Sequence, residues 1–255
     1  MVRIKLLDIT KIEQMASDSF KVLNGLPQYI TLEQKEKAKI TDTDIKSLIE
    51  ACEDYHLERL GVILDSAASR FDYLSNLLLI HGFEHFSSKV EVYKELVNLP
   101  TYETTFQWQS LEEPDLSEKQ FIRYWEHCMI GSDNKSSSLS MDQHLMSVKS
   151  ELGARWRKSC RVFSQEKTPI GISIPHIEPR TEDEGRLFYF GILPEARGKG
   201  LSASLHLQSL CHLKEMGATH YIGSTHLENK KMQRVFEKNG CRITAYTESF
   251  YKYFR

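Results

Sequence analysis

FYFGILPEARGKGLS, residues 188–202, is an apolar run that breaks into a short basic loop with two glycines. Residues 185–193 are aromatic and aliphatic and predict a strand. Leu205, Leu210 and Leu213 predict a helix over about 200–216, ended by Gly217. The loop Arg197-Gly198-Lys199-Gly200-Leu201-Ser202 therefore opens a helix. Its glycines let the backbone turn sharply and approach a ligand. The helix start offers unpaired N–H groups and a positive dipole end, and Arg197 and Lys199 add charge. Together these predict an anion site suited to a pyrophosphate. The alternative is a glycine-rich turn with solvated basic side chains. Neither GxxxxGK[ST] nor GxGxxG is present, which excludes a Walker loop and a dinucleotide fingerprint.

Downstream, residues 220–224 predict a strand, 230–238 a helix, and 242–254 a hairpin or strand pair. Upstream, 102–111 alternate as a strand does. Ser117 and Gln120 form a capping box before a helix carrying Phe121, Tyr124, Trp125, Cys128 and Met129. Residues 131–139 are a polar loop, and Ser140 with Gln143 caps a second helix to about Leu152. Residues 156–164 and 170–177 predict two more strands. This order is α/β with a mixed sheet.

The loop resembles the acetyl-CoA loop of the GNAT (Gcn5-related) N-acetyltransferases, whose pattern is Arg/Gln-x-x-Gly-x-Gly/Ala after a strand. Here it reads Arg197-x-x-Gly200-x-Ser202, with serine as a small departure. A second motif follows: Asn229 to Gly240, NKKMQRVFEKNG, is similar to the family's Asn-x-x-x-x-x-Leu-Tyr-Glu-Lys-x-Gly. The resemblance covers roughly residues 102–255. It implies a sheet flanked by helices and acetyl-CoA as cosubstrate, with no metal. It further implies that the backbone of Phe190, Gly191 and Ile192 pairs with the pantetheine arm. Backbone amides of Arg197, Gly198, Lys199, Gly200, Leu201 and Ser202 would hold the pyrophosphate, and Asn229 would bond near the pantetheine. Asn229 also reads as a plain helix N-cap.

Acetyl transfer to an amine needs a neutral nucleophile, a polarised thioester and a proton donor for the departing thiolate. No covalent enzyme intermediate is required, and the five cysteines read as packing residues. Where many family members have a donor tyrosine this chain has Phe236. Where many have a glutamate on the strand before the loop it has Arg186, which is no base at neutral pH. Glu184, two residues earlier and on the same face of a regular strand, is the candidate catalytic group, relaying a proton through water. The alternative reading makes it a solvated member of the 182–184 acidic run. His226 is the next candidate. His206 and His212, six apart, are no same-face metal pair.

In the first hundred residues, 42–58 predict a helix, 60–64 a strand, 72–80 a helix and 89–96 a strand. That order repeats in 202–254. Aligning Gly82 with Gly240 sets Tyr93-Lys94 on Tyr251-Lys252 without a gap. The expectation is a partial, degenerate GNAT-like half at 1–100 and an acetyl-CoA-binding domain at 101–255. The first copy has no glycine loop, only KAKITDTDIK at 37–46, and about 43 residues precede its helix, too few for all the elements of the second.

Lys and Arg number 33 against 35 Asp and Glu, a net charge of -2, which argues against nucleic acid as main partner. No apolar run reaches the ~18 residues of a spanning helix, and the first twenty residues do not read as a secretion signal. The odd, scattered cysteines suggest neither a disulfide framework nor a zinc site. The expectation is a cytoplasmic N-acetyltransferase acting by direct transfer on a small primary amine. The alternatives are transfer to a protein amino group, or a non-catalytic acyl-CoA sensor.

Overall fold

The computed structural model describes residues 9–26, 28–35, 39–99, 106–133 and 139–254. The chain forms two compact units, Met1–Lys89 with Ala245–Arg255, and Val90–Thr244. The sequence division at residue 100 thus differs at both ends: residues 90–99 belong to the second unit, and the last eleven residues to the first.

In chain order the elements are α1 Ile9–Ala16, β1 Phe20–Gly25, β2 Tyr29–Gln34, α2 Asp42–Asp54, β3 Arg59–Asp65, α3 Phe71–Ile80 and β4 Glu84–Glu95. There follow β5 Gln107–Ser110, α4 Glu118–Met129, α5 Met141–Leu152, α6 Trp156–Ser159, β6 Arg161–Gln165, β7 Thr168–Ile177 and β8 Glu184–Ile192. The chain closes with α7 Ser202–Glu215, β9 His220–His226, α8 Lys230–Lys238 and β10 Arg242–Tyr253. Of the strand expected at 102–111, residues 102–105 lie outside the described residues.

The first unit is held by alternation and helical spacing. Ile30 and Leu32 of β2 and Leu60, Val62 and Leu64 of β3 point inward. Ile45, Leu48, Ile49 and Cys52 make the buried stripe of α2, whose start is fixed by a capping box between Thr41 and Asp44. Phe250 of β10 joins the same core. Strands β2 and β3 run parallel over five rungs, Tyr29↔Arg59 to Glu33↔Ile63.

In the second unit both capping boxes predicted from sequence are present, Ser117 with Gln120 and Ser140 with Gln143. Helices α4 and α5 pack through Phe121, Trp125 and Val148 against Val162, Ile172 and Ile174. Helices α7 and α8 pack through Leu210, Leu213 and Phe236 against Tyr221 and Val92.

Two sequence expectations are corrected. Residues 156–159 are a helical turn, not strand: the Trp156 ring is covered by Lys149 Nζ at 4.5 Å and the Arg157 guanidinium at 4.6 Å, so it needs no sheet partner. Residues 242–253 form one strand rather than a hairpin, since RITAYTESFYKY holds no Gly, Pro or Asn to turn on.

The repeat read from sequence has a structural counterpart. Hydrogen-bonded order in the first unit includes β1-β2-β3-β10, and in the second β7-β8-β9-β4. Helices α2 and α3 hold the chain positions of α7 and α8. In each unit the fourth strand is the one that ends the other half's repeat. Lys252 Nζ donates to His81 O at 2.9 Å, beside Gly82 at φ 77°. Correspondingly, a methyl built on Gly240, at φ 67°, would lie 3.3 Å from Lys94 Nζ. The first copy does contain counterparts of β7 and β8, namely β1 and β2, within its short N-terminal stretch.

Candidate functional site

Strands β8 and β9 pair in parallel only at Glu184↔His220 and Gly185↔Tyr221. Beyond that rung the pairing stops, and a cleft of about 450 Å³ opens further along. Its walls are Tyr189, Phe190, Gly191 and Ile192 on one side and Asn229, Met232 and Val235 on the other. Against β7, the register of β8 shifts from Pro175↔Leu187 to Ser173↔Phe190. Phe188 and Tyr189 thus share one position, a β-bulge. Both rings pack on the α4 side, near Trp125, while Phe190 and Ile192 turn to Leu205 on the α7 side. Gly191 is required: a Cβ there would lie 2.6 Å from the Tyr189 ring and 2.9 Å from Cys128 Cβ.

The end of the cleft is the glycine loop. Gly198 and Gly200 have φ 74° and 76°, and a Cβ at either would meet nothing within 4 Å. The loop backbone is thus left-handed and opens on empty space. Ser202 starts α7, and the preceding Leu201 supplies no side-chain cap, so the first N–H groups of a 14-residue helix are left to another acceptor. Lys199 is exposed.

Arg197 has a different task from the one its charge suggests. Its Nε donates to Ile192 O at 3.0 Å, and its two terminal nitrogens to Cys128 O (2.9 Å), Ile130 O (2.7 Å) and Gly131 O (3.2 Å). It caps the C-terminal end of α4 and the two residues beyond it and ties them to the end of β8. Its own N–H donates to Pro194 O. Asn229 is the N-cap of α8, with Oδ1 accepting from Met232 N at 3.0 Å, and it also lines the cleft.

On the α4–α5 face, at the paired end of β8, lies a group of charged side chains. Arg186 Nε donates to Glu184 Oε1 at 2.5 Å and faces Glu178 Oε2 at 3.6 Å. His176 stands opposite Arg186 in register. Its Nε2 is 3.4 Å from Glu178 Oε2 and 3.8 Å from Glu151 Oε1 of α5. His176 Nδ1 is buried with no hydrogen-bond partner. Glu184 is thus on the face of Arg186, as alternation predicts, and bonded to it. His176, Glu178 and Glu151 were not singled out from sequence; only the packing of α5 against the end of β7 brings them together.

Phe236 is 2% exposed and packs in the core against His206 and Tyr221, with ring centroids 5.5 and 6.4 Å away. His226 ends β9, and its carbonyl accepts from Asn229 N. Cys128 borders the cleft, but burial pushes its thiol up to about 12 against the opposing Arg197 charge. It stays a thiol at neutral pH and is no nucleophile. Burial likewise raises the Tyr189 hydroxyl well above the ordinary phenol range.

Comparison with known proteins places these features in a wider set. Residues 102–241 match the model of the acetyltransferase (GNAT) family. A solved GCN5-related N-acetyltransferase from Sphaerobacter thermophilus is 15% identical, with a TM-score of 0.61 over 92% of this chain and 76% of its own. One from Kribbella flavida is 11% identical, with a TM-score of 0.58 over 97% and 96%. A tandem GNAT protein from the clavulanic acid biosynthesis pathway is 11% identical, with a TM-score of 0.54 over 88% and 75%. At these identities the likeness is one of fold, and it extends through the N-terminal half. No curated protein matches the sequence.

Proposed function

Given that the chain belongs to the acetyltransferase (GNAT) family, we propose that it is a cytoplasmic N-acetyltransferase that passes an acetyl group from acetyl-CoA directly to a primary amine of a small molecule. The observation that carries this reading is the parting of β8 from β9 beside a left-handed glycine loop and the uncapped start of α7. The residues fit the cosubstrate. Backbone groups of Phe190, Gly191 and Ile192 border the cleft as a strand edge would, ready to pair with the amides of a pantetheine arm. The N–H groups from Gly198 through Lys199, Gly200, Leu201 and Ser202 suit a pyrophosphate. Arg197, engaged with five carbonyls through its side chain and N–H, shapes the loop. Asn229 holds the start of α8 at the cleft wall.

Bound acetyl-CoA would supply the activated acyl group; the chain's part is to orient it and to manage the amine's protons. Glu184 enters as a relay member, with Arg186 held against it. Calorimetric titration with acetyl-CoA, then free-thiol release with a panel of primary amines, tests the reading. Binding without turnover would favour the acyl-CoA sensor, which Phe236 and Arg186 in the family's acid and base positions prompt.

A further inference from the structure

We propose that His176 takes up the proton an incoming amine must lose, with Glu178 and Glu151 holding its ring for that task. The inference rests on the reading of the cleft as an acyl-transfer site. His176 is 4% exposed, with Nε2 turned to two carboxylates and Nδ1 buried and unpartnered. Buried polar atoms nearly always find a partner. With the ring proton on Nε2, facing Glu178 and Glu151, Nδ1 carries a lone pair and nothing to accept from. A ring with one nitrogen fixed by a carboxylate and the other carrying an unshared lone pair is the arrangement of a general base.

The neighbours narrow the choice. Arg186, directly opposite, holds its proton at neutral pH. Glu184 bonds to that guanidinium, and Glu178 faces it as well. Phe188, half of the β8 bulge, has its ring centroid 6.5 Å from that of His176, and its bulge partner Tyr189 lines the cleft. His176 therefore stands one side chain behind the cleft wall. The charged groups facing it are Glu151 from α5, Glu178 just past the end of its own strand, and Arg186 with Glu184 from β8. The guanidinium beside Glu178 favours a proton over a metal ion as the cation this cluster receives.

The step balances. A protonated amine gives one N–H proton to a water, which passes one to Nδ1, leaving an imidazolium beside the carboxylates. The amine lone pair forms the C–N bond as the thioester C–S bond breaks, and the departing sulfur takes the amine's second proton to become a thiol. The imidazolium returns its proton to water past Glu151, whose side chain is 19% exposed.

Two measurements on the full chain test this. In ¹⁵N-histidine spectra, the signal lost in His176→Gln should show a protonated Nε2 and a bare Nδ1 at alkaline pH. A neutral ring protonated at Nδ1 overturns the proposal. With spermidine, tyramine and glucosamine as acceptors, His176→Gln should lower kcat about 30-fold or more at neutral pH. Acetyl-CoA affinity should not change, and the deficit should shrink at alkaline pH. Glu178→Gln, isosteric, should move the pH midpoint of the remaining turnover, which a merely structural carboxylate would leave in place. Full turnover in His176→Gln overturns this proposal alone. A wild-type chain that binds no acetyl-CoA overturns the cleft reading and this proposal with it. Should none of the three amines react, the ring tautomer decides.

Discussion

A side chain at Gly200 would project into the open space of the loop from a backbone at φ 76°. Gly200→Val therefore meets two penalties: a β-branched residue in the left-handed region, and bulk where the pyrophosphate is proposed to lie. Calorimetry should show acetyl-CoA binding weakened about tenfold or more, ~1.4 kcal/mol. Arg197→Ala should behave differently. It strips caps from the carbonyls of α4, costing roughly 2 kcal/mol, so thermal unfolding should move down by several degrees while acetyl-CoA affinity changes less than in Gly200→Val. Glu184→Gln, as a relay variant, should lower turnover about tenfold at neutral pH with affinity kept. An unaltered rate would remove Glu184 from the relay. At this scale the sequence names the loop but not each residue's work. The carbonyls at the end of α4 that Arg197 holds are 66 to 69 positions away, and the His176 group joins two strands, the turn after one of them and a helix. Such pairings belong to no local pattern.

Helix α7 carries two buried histidines with opposite consequences from the unpartnered Nδ1 of His176. Burial pushes His206 down to about 3, and His212 down to about 4 with the Arg161 charge adding to burial. His206 Nδ1 accepts from Asn239 Nδ2 at 2.8 Å, which suits the neutral ring. Both are held neutral in the fold but take protons once unfolded, at an ordinary value near 6.5. Their contribution to stability is whole above about pH 6.5 and falls as pH drops toward 4 and then 3. Each costs about 1.4 kcal/mol per pH unit across its window. Urea unfolding at a series of pH values should show this acid loss, and His212→Gln should flatten part of it if the packing survives. Caps and apolar spacing made α4, α5, α7 and α8 legible in advance. The bulge at Phe188 and Tyr189 was not, because it is a relation between two strands. The helical turn at Trp156 was missed for a similar reason: its ring is covered by a lysine from the preceding helix.

The two halves differ most where they correspond most closely. Strands β2 and β3 stay paired through five rungs, while β8 and β9 part after two. Among the described residues no comparable gap separates β2 from β3, and the sequence between β2 and α2 holds no glycine. Titration should give one acetyl-CoA per chain, and two equivalent sites would contradict the assignment of the cleft to the second unit. The repeat itself was legible from Gly82, Gly240 and the two Tyr-Lys pairs. The crossing of its last strands was not, since alignment reports likeness and not partnership. It matters for fragments. Residues 101–255 lack Val92, Leu96 and Leu99, which are buried among Leu210, Leu213 and Tyr221. That piece should be recovered insoluble or unfolded by circular dichroism, whatever its motifs.

The return of β10 to the first unit also sets a timetable. Residues Thr247 to Tyr253 pair with β3 along its whole length, and Phe250 sits in that unit's core. A nascent chain emerging from the ribosome presents the first unit long before its closing strand exists. At ordinary elongation rates the wait is roughly 10–30 s. Through that interval the edge of β3 is a bare template for stray pairing. The N-terminal half must be sheltered, or fold last though it is made first.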